Sequence, residues 1–230
     1  MNKTELLDKY ARDGESRLLL ARVLDQQQRA DQRGIPTHTA FLSPAEQAMS
    51  ADLLMAAAPG QGVLHGGYAD AERKLWGFLP DWLDEDLWLA GEDCPLAALE
   101  VKTPKGAKLT HRDYLGSLMG LGIMREKIGD ILIGETGAQV IVLRETLPIL
   151  LAQWEKAGRY PVTLTPLPLD QLAPTPGETK EVRATVASVR LDAVVSAGFS
   201  IPRSRAADLI RGGRVMVNHR PCEKADKVVE

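Results

Sequence analysis

A proline-rich stretch near residue 170 constrains the fold of this 230-residue chain more than any other feature. The segment Thr163–Gly177 reads TLTPLPLDQLAPTPG and contains four prolines. Proline lacks a backbone N–H and has a fixed φ, so it ends helices and is excluded from the interior of sheets. Hydrophobic periodicity fades after Pro168, and this composition is typical of a semi-rigid linker. We therefore predict a linker at residues 169–180 with separately folded parts on either side.

Charge is distributed unequally across this boundary. The whole chain has a net charge of −3, whereas residues 178–230 contain ten cations and seven acids, which leaves −6 for residues 1–177. Between Arg183 and Arg220 there are seven arginines and two aspartates. Arginine binds phosphate through two parallel hydrogen bonds, and a small basic module on an acidic body is common among nucleic-acid-binding proteins. A solvated charged surface would have the same composition.

The overall composition excludes several classes of protein. With 44% apolar and 26% charged residues, the chain is typical of soluble globular proteins, and fibrous or globally disordered classes are excluded. The apolar runs Leu53–Ala58 and Leu147–Ala152 are too short to cross a bilayer. The N-terminus is polar and has no signal-peptide pattern. Cys94 and Cys222 cannot form a disulfide framework and lack metal-ligand spacing. We predict a cytoplasmic protein without a metal, a cofactor or membrane contact.

Before the linker, the periodicity predicts two α+β parts. Residues 1–82 are predicted to form a small N-terminal α+β domain, with helices over 4–12, 15–33 and 43–58 and strands over 63–68 and 73–79. Residues 83–168 are predicted to contain strands at 96–102, 128–133, 139–143 and 162–167, with helices at 110–121 and 147–157. The resulting order, β-α-β-β-α-β, is that of ferredoxin-like domains and RNA-recognition motifs.

RNA-recognition motifs stack bases on aromatic residues of two central strands. The corresponding segments here, 97–101 and 139–143, contain no aromatic residue, so base stacking on this sheet is not predicted. Six cations of this part could instead contact phosphate or remain solvated: Lys102, Lys105, Lys108, Arg112, Arg125 and Lys127. The segment 66–74, GGYADAERK, indicates a structural turn with a buried ion pair.

Residues 181–230 carry the most informative pattern. Apolar spacing predicts a helix from about Ser188, ended by Gly198, and a second helix capped by Ser200 or Ser204 and ended by Gly212-Gly213. A strand over 214–218 and a turn at 218–221 follow. Helix N-termini attract phosphate, and arginine adds charge there. The candidate phosphate-binding arginines are Arg190, Arg203 and Arg205 at the helix starts, extended by Arg211, Arg214 and Arg220. Asp192 and Asp208 are expected to orient these side chains or to stay solvated.

The spacing over residues 190–218 resembles the RNA-binding domain named after ribosomal small-subunit protein four, also called the alpha-L motif. The matching features are Arg190-Leu191-Asp192, Ser204-Arg205, Leu209-Ile210 and Gly213-x-Val215-x-Val217-Asn218. The resemblance implies RNA contact by Arg190 and Arg205, joined by Arg203, Ser204, Arg214 and Asn218. It also implies glycine after Asn218, where this chain has His219, and a closing strand that would follow Glu230.

The rest of the chain resembles the YlmH-type bacterial proteins. The segments that carry this resemblance are FLSPAE at 41–46, GGYADAERK at 66–74 and THRDYLGSLMGLGIMREKIGD at 110–130. It implies three domains, the last of them the alpha-L RNA-binding domain at 181–230. It also implies binding to ribosomal RNA of the large ribosomal subunit, with tRNA as a further partner, in quality control of ribosomes that hold stalled peptidyl-tRNA. We expect a monomer.

Two other functions share the same C-terminal module. An RNA-modifying enzyme would need its own catalytic signature, and the sequence contains no glycine-rich cofactor loop after a strand and no synthetase nucleotide motif. His111 and Asp113 lie in a helix-capping pattern, so no catalytic residue is predicted. A protein-binding adaptor would bind independently of salt and would not need Arg205.

Overall fold

The structure is a computed structural model that describes residues 1–174 and 181–229, and these form two compact units, one in each range. Part of the predicted linker, residues 175–180, lies outside the described residues. The earlier part does not: Leu169 and Leu172 pack against the core of the first unit. The predicted division of that unit at residue 82 stays a prediction. Among the described residues, no helix has both the length and the apolar character needed to span a membrane.

The elements of the first unit alternate between helices and strands. Its helices are α1 (Lys3–Tyr10), α2 (Gly14–Arg33), α3 (Pro44–Ala57), α4 (Glu85–Ala90), α5 (His111–Gly120) and α6 (Leu147–Gln153). Its strands are β1 (Thr37–His38), β2 (Val63–His65), β3 (Leu75–Phe78), β4 (Leu96–Lys102), β5 (Ile128–Gly134), β6 (Gly137–Leu143), β7 (Lys156–Ala157), β8 (Tyr160–Pro161) and β9 (Thr163–Leu167). The first three strands form a small sheet in the order β1-β3-β2.

The main sheet has the strand order β5-β6-β4-β9, with every neighbouring pair antiparallel. Together with α5 after β4 and α6 after β6, this is the ferredoxin-like arrangement predicted from the sequence. Pro166 lies in β9, which is an edge strand, and edge strands tolerate proline although it lacks a backbone N–H. One face of the sheet packs against both helices, in a core that includes Leu99, Tyr114, Leu118 and Leu150.

The opposite face of the main sheet is largely covered by N-terminal residues. Ala98 and Ile141 point to this face and lie in one buried cluster with Phe41, Leu75 and Trp88. Ile141 is completely buried. This is the face on which an RNA-recognition motif would stack bases. Apolar side chains from this chain occupy it instead, which agrees with the absence of aromatics on the two central strands.

Asp130 on β5 fixes the covering segment to the sheet. Its carboxylate accepts hydrogen bonds from the Tyr68 hydroxyl at 2.8 Å and from the backbone N–H groups of Glu72 at 2.7 Å and Arg73 at 3.0 Å. Burial, and then the bond to Asp130, raise the pKa of Tyr68, so the hydroxyl remains a donor. The segment 66–74 is therefore the turn that the sequence predicted, fixed by a carboxylate from outside it.

The Arg73 guanidinium is satisfied by carbonyl groups. Its Nε donates to Ile128 O at 2.9 Å and its Nη2 to Phe41 O at 3.0 Å. Burial lowers the pKa of Arg73. Arg73 forms no salt bridge with a described residue, so the prediction of a buried ion pair in this turn was wrong. The guanidinium instead ties β5 to the segment before α3.

The predicted helix over 147–157 is too long. α6 ends at Gln153, Trp154 is buried, and the chain then forms the β7–β8 hairpin around Gly158, whose φ is 55°. The Trp154 indole donates to Ser117 Oγ on α5 and to Lys156 O, both at 3.0 Å. These bonds hold the hairpin against α5, a contact that helical periodicity alone did not predict.

The second unit consists of α7 (Leu191–Phe199), α8 (Arg203–Arg211), β10 (Met216–Val217) and β11 (Arg220–Pro221). α7 does not end at Gly198 as predicted: it continues to Phe199 and is terminated by Ser200 in the left-handed region, at φ 53°. The core contains Leu191, Val195, Ala206, Ile210 and Cys222. Residues 189–190 pair in antiparallel fashion with 228–229 near the end of the chain.

Candidate nucleic-acid interface

The arginines that open the two C-terminal helices converge on one carboxylate. Asp192 Oδ1 accepts from Arg203 Nη2 at 3.0 Å and from Arg190 Nε at 3.3 Å, and Oδ2 accepts from Arg190 Nη2 at 3.3 Å. The Asp192 side chain is only 9% exposed, whereas those of Arg190 and Arg203 are 42% and 52% exposed. A buried carboxylate thus holds two guanidinium groups at the surface. We call this cluster the arginine fork.

Helical spacing explains why Arg203 can reach α7. Arg203 precedes Ala206, Ala207 and Ile210 by three, four and seven residues, so it lies at the end of the buried stripe of α8. Arg190 immediately precedes α7 and Asp192 lies in its first turn. Packing of the buried stripe against α7 therefore brings both arginines to the same carboxylate.

The fork keeps its charges over the neutral pH range. The hydrogen bond from Arg203, followed by that from Arg190, lowers the pKa of the Asp192 carboxyl. The same bond raises the pKa of Arg203. Each guanidinium has five N–H donors, and the fork uses only part of them. The remaining donors on the exposed edges can bind a phosphate group that approaches from solvent.

The N-termini of the two helices differ in their free backbone donors. In α7, Leu191 N donates to Lys227 O at 2.8 Å and Asp192 N to Ala225 O at 3.0 Å, so these groups are not available to an anion. α8 follows Pro202 without a side-chain cap, and its first intrahelical bond comes from Ala206 N. The sequence-based expectation of a serine cap on α8 was therefore wrong.

The uncapped end of α8 carries three of the predicted contact residues. The backbone N–H groups of Arg203, Ser204 and Arg205 have no backbone or side-chain acceptor within the described ranges. All three side chains are exposed. Arg205 makes no hydrogen bond or salt bridge there. Because Arg203 and Arg205 are two positions apart, they project to different sides of the first turn.

The other predicted residues lie farther along the chain. Arg211 is in the last turn of α8, where it pairs with Asp208 at 3.4 Å, and both side chains are about two-thirds exposed. Arg214 is exposed between α8 and β10, and Arg220 is exposed on β11. The structure therefore brings Arg190, Arg203 and the first turn of α8 together, whereas the remaining predicted residues lie at the other end of α8 or beyond it in the chain. The contact of each with RNA stays a prediction.

Asn218 and His219 form the two-residue turn between β10 and β11. Both have positive φ, 50° and 62°, which is typical of a type I′ turn. Asparagine tolerates this conformation and glycine favours it, whereas histidine is strained in it. Asn218 is thus a turn residue in this structure, the role expected from its position. The resemblance to the alpha-L motif implies glycine at position 219, and the positive φ found there is one that glycine adopts without strain.

Among the residues that the structure describes, no group of side chains is arranged for metal binding or thiol chemistry. No group of three or more His, Cys, Asp or Glu side chains is placed to hold a metal ion there. Cys94 and Cys222 are buried in different units. Asp113 accepts from the backbone N–H and the hydroxyl of Thr110, both at 2.7 Å, which confirms its predicted role at the start of α5.

Three family models match successive segments of the chain. Residues 15–77 match the N-terminal domain of YlmH, residues 90–171 match the model described as "Putative RNA-binding domain in YlmH", and residues 189–230 match the S4 domain. The last match covers the arginine fork and α8. Of the three descriptions, the one for residues 90–171 names RNA binding.

Individual relatives agree with these matches. Ribosome-associated protein quality control protein P2 of Bacillus subtilis (strain 168) is 34% identical over 197 residues, which cover 83% of this chain and 73% of the relative. The solved structure of cell division protein ylmH from Streptococcus pneumoniae has a TM-score of 0.56 at 24% identity, and covers 70% of this chain and 95% of that one. The second match shows the fold alone. The chain therefore belongs to the YlmH family and ends in an S4, or alpha-L, domain.

Proposed function

We propose that this protein binds ribosomal RNA of the large ribosomal subunit and acts in ribosome-associated quality control, on subunits that still hold stalled peptidyl-tRNA. It does so as a monomer in the cytoplasm and without catalysing a reaction. The arginine fork and the uncapped N-terminus of α8 are its main contact with RNA, and tRNA is a further partner. The name of the Bacillus subtilis relative supports this assignment of process.

The proposal rests on one surface of the second unit that carries both arginine side chains and free backbone N–H groups. Arg190 and Arg203 are held half-exposed by Asp192, and the next turn adds Arg205 and uncapped backbone donors. Such a surface recognises the phosphates and shape of folded RNA, with little dependence on base identity. If about four phosphates are neutralised, log affinity should fall with log salt at a slope of about −3.

Co-sedimentation with purified large and small ribosomal subunits, at low and at moderate salt, tests the proposal. The main variant is Arg190→Ala/Arg205→Ala, and Arg205→Ala alone is added because Arg205 makes no hydrogen bond or salt bridge with a described residue whose loss would disturb the fold. The control, Arg12→Ala/Arg29→Ala, removes the same charge from exposed positions of the first unit. We expect salt-sensitive binding of wild type and control to the large subunit, and loss of binding by the double variant.

Other outcomes contradict the proposal in different ways. Equal sedimentation of the double variant and wild type would move the interface away from the fork. Preferential binding to the small subunit would contradict the assigned partner. If wild type binds neither subunit, the ribosomal role fails and a free RNA becomes the substrate to test.

A further inference from the structure

One end of the main sheet in the first unit carries a concentration of cations. We call it the basic end: it comprises the loop from β4 to α5, the first turn of α5 and the β7–β8 hairpin. Its cations are Lys102, Lys105, Lys108, Arg112, Lys156 and Arg159. Within 102–113 and 154–162 the acids are Asp113 and Glu155, and Glu135 in the β5–β6 turn lies at the same end, so six cations face three acids where residues 1–177 as a whole have a net charge of −6. The basic end is therefore opposite in sign to the body around it.

The fold brings these two separate segments together. Lys102 is the last residue of β4 and pairs with Thr163, the first residue of β9, so the hairpin before β9 lies beside the loop after β4. A Cβ placed at Gly158 in the hairpin would lie 3.3 Å from Leu109 and 3.6 Å from Asp113. The bond from Trp154 to Ser117 on α5 fixes the same contact.

The cations of the basic end are available to a ligand. Lys102 pairs with Glu100 at 3.2 Å, and no other cation of the set makes a salt bridge within the described ranges. The five others are exposed. Asp113 is engaged by the Thr110 hydroxyl and N–H and only partly offsets this charge. Five exposed cations that form no salt bridge with a described residue favour a polyanion as ligand.

An arginine and an aromatic ring stand together at the tip of the hairpin. The Arg159 guanidinium lies over the Tyr160 ring at 5.0 Å, and its Nη2 donates to the Tyr160 hydroxyl at 2.9 Å. A stacked pair of this kind offers flat surface to an unpaired base as well as charge to phosphate.

Two cations grouped with these on sequence grounds do not belong to the basic end. Arg125 Nη1 donates to Ile128 O at 2.6 Å, and Lys127 pairs with Glu145 at 2.9 Å. Burial lowers the pKa of Arg125. Their donors serve the packing around β5, so the surface is better defined by Lys156 and Arg159 than by these two.

We propose that the basic end is a second RNA-binding surface, which contacts the phosphates of folded ribosomal RNA while the covered face of the sheet makes no contact. The choice of RNA as the polyanion rests on the proposed function. The basic end shares no residue with the arginine fork, which belongs to the second unit.

The test measures affinity of the full chain for purified large-subunit ribosomal RNA over a range of salt. The basic-end variant is Lys105→Gln/Lys108→Gln/Arg159→Gln, and its control is Arg12→Gln/Arg29→Gln/Arg33→Gln, three exposed cations of the same unit. The variant Arg190→Ala/Arg205→Ala is measured in parallel. We expect the basic-end variant to bind about tenfold more weakly at low salt, with a slope flatter by about 2, since up to three phosphate contacts are lost.

Ultraviolet cross-linking of wild type to the same RNA gives a second measurement. Cross-linked peptides from residues 103–112 or 155–162 support the proposal, and cross-links confined to 181–229 overturn it. If the basic-end variant matches its control while the Arg190→Ala/Arg205→Ala variant loses affinity, the second surface is wrong and the proposed function stands. If instead the basic-end variant loses affinity and the Arg190→Ala/Arg205→Ala variant does not, the second surface is supported and RNA binding by the arginine fork is contradicted.

Two further outcomes also overturn the proposal. If the basic-end variant retains its affinity for free ribosomal RNA but binds intact large subunits more weakly than its control does, the partner of this surface is an acidic protein of the subunit. Absence of any binding of wild type to ribosomal RNA rejects both the second surface and the proposed function.

Discussion

Asp130 in the first unit and Asp192 in the second each collect donors from more than one segment. The Asp130 cluster joins packed segments and is called the inward cluster, whereas the Asp192 cluster leaves guanidinium donors exposed to solvent and is called the outward cluster. Around Asp130 the donors are a tyrosine hydroxyl and two backbone N–H groups, and the neighbouring Arg73 donates to main-chain carbonyls. Around Asp192 the donors are the guanidinium groups of Arg190 and Arg203, whose other edges face solvent.

A structural arginine and a binding arginine differ in where their N–H donors point. Both kinds lie beside a carboxylate at an element boundary. Arg73 is part-buried, with Nε and Nη2 bonded to main-chain carbonyls, so it closes a packing contact. Arg190 and Arg203 use one or two donors on a carboxylate and retain the rest for a ligand. The direction of the unused donors therefore indicates function better than the residue type does.

The largest expected effect is on the inward cluster. Asp130→Ala leaves the Tyr68 hydroxyl and two backbone N–H groups without their acceptor, and should lower the free energy of unfolding of the first unit by about 3 kcal/mol. Urea unfolding followed by tryptophan fluorescence measures this, because all four tryptophans lie in that unit. Asp93→Ala, at an exposed position, is the control. Equal midpoints for the two variants would refute the structural role of Asp130.

A second substitution should raise the free energy of unfolding of the second unit by a smaller amount and leave its affinity for RNA unchanged. His219→Gly relieves the strain of a left-handed histidine and should raise the free energy of unfolding of that unit by about 1 kcal/mol. Hydrogen exchange of peptides within 190–222, read by mass spectrometry, reports this unit separately. Slower exchange with unchanged RNA affinity is expected. Faster exchange would mean that the imidazole makes a stabilising contact of its own.

The smallest effect is a pH dependence of the outward cluster. Since hydrogen bonds from Arg203 and Arg190 lower the pKa of Asp192 from its ordinary value of 3.8, the folded unit binds this proton less readily than the unfolded chain does. The stabilisation is present at neutral pH and is lost as the pH falls through 3.8 and below. Hydrogen exchange of residues 190–222 measures the stability of this unit. The stability difference between wild type and Asp192→Asn should become smaller as the pH is lowered from about 6 to about 3. A constant difference would assign the stabilisation to packing.

Much of the fold follows from local patterns in the sequence. Alternation and turn residues predicted the β-α-β-β-α-β order, and the strands at 96–102 and 128–134 lie within a residue of their predicted bounds. The lack of aromatics at 97–101 and 139–143 predicted that this sheet does not stack bases, and the buried Ile141 supplies the physical reason. Helix ends were less predictable, because Ser200 adopts the conformation expected of glycine.

Contacts across long sequence separations were not predictable from one sequence. Asp130 meets Tyr68 and Arg73 across about sixty residues, and no local pattern marks it as their acceptor. The hairpin that brings Arg159 to the basic end depends on Gly158 and on the packing of Trp154, which periodicity assigned to a helix. For Asp192 the sequence left two alternatives, orientation of the arginines or solvation, and its hydrogen bonds to Arg190 and Arg203 agree with the first.

Positioning of the arginines by Asp192 is tested by comparing Asp192→Asn with Asp208→Asn in binding to purified large-subunit ribosomal RNA. Each variant removes one negative charge beside arginine, but Asp192 orients two side chains from a buried position, and Asp208 forms one exposed pair. If only net charge mattered, both variants would bind more tightly. Orientation by the fork predicts that Asp192→Asn binds several-fold more weakly while Asp208→Asn binds at least as well as wild type. Tighter binding by Asp192→Asn would contradict the central claim that the fork positions arginines for RNA.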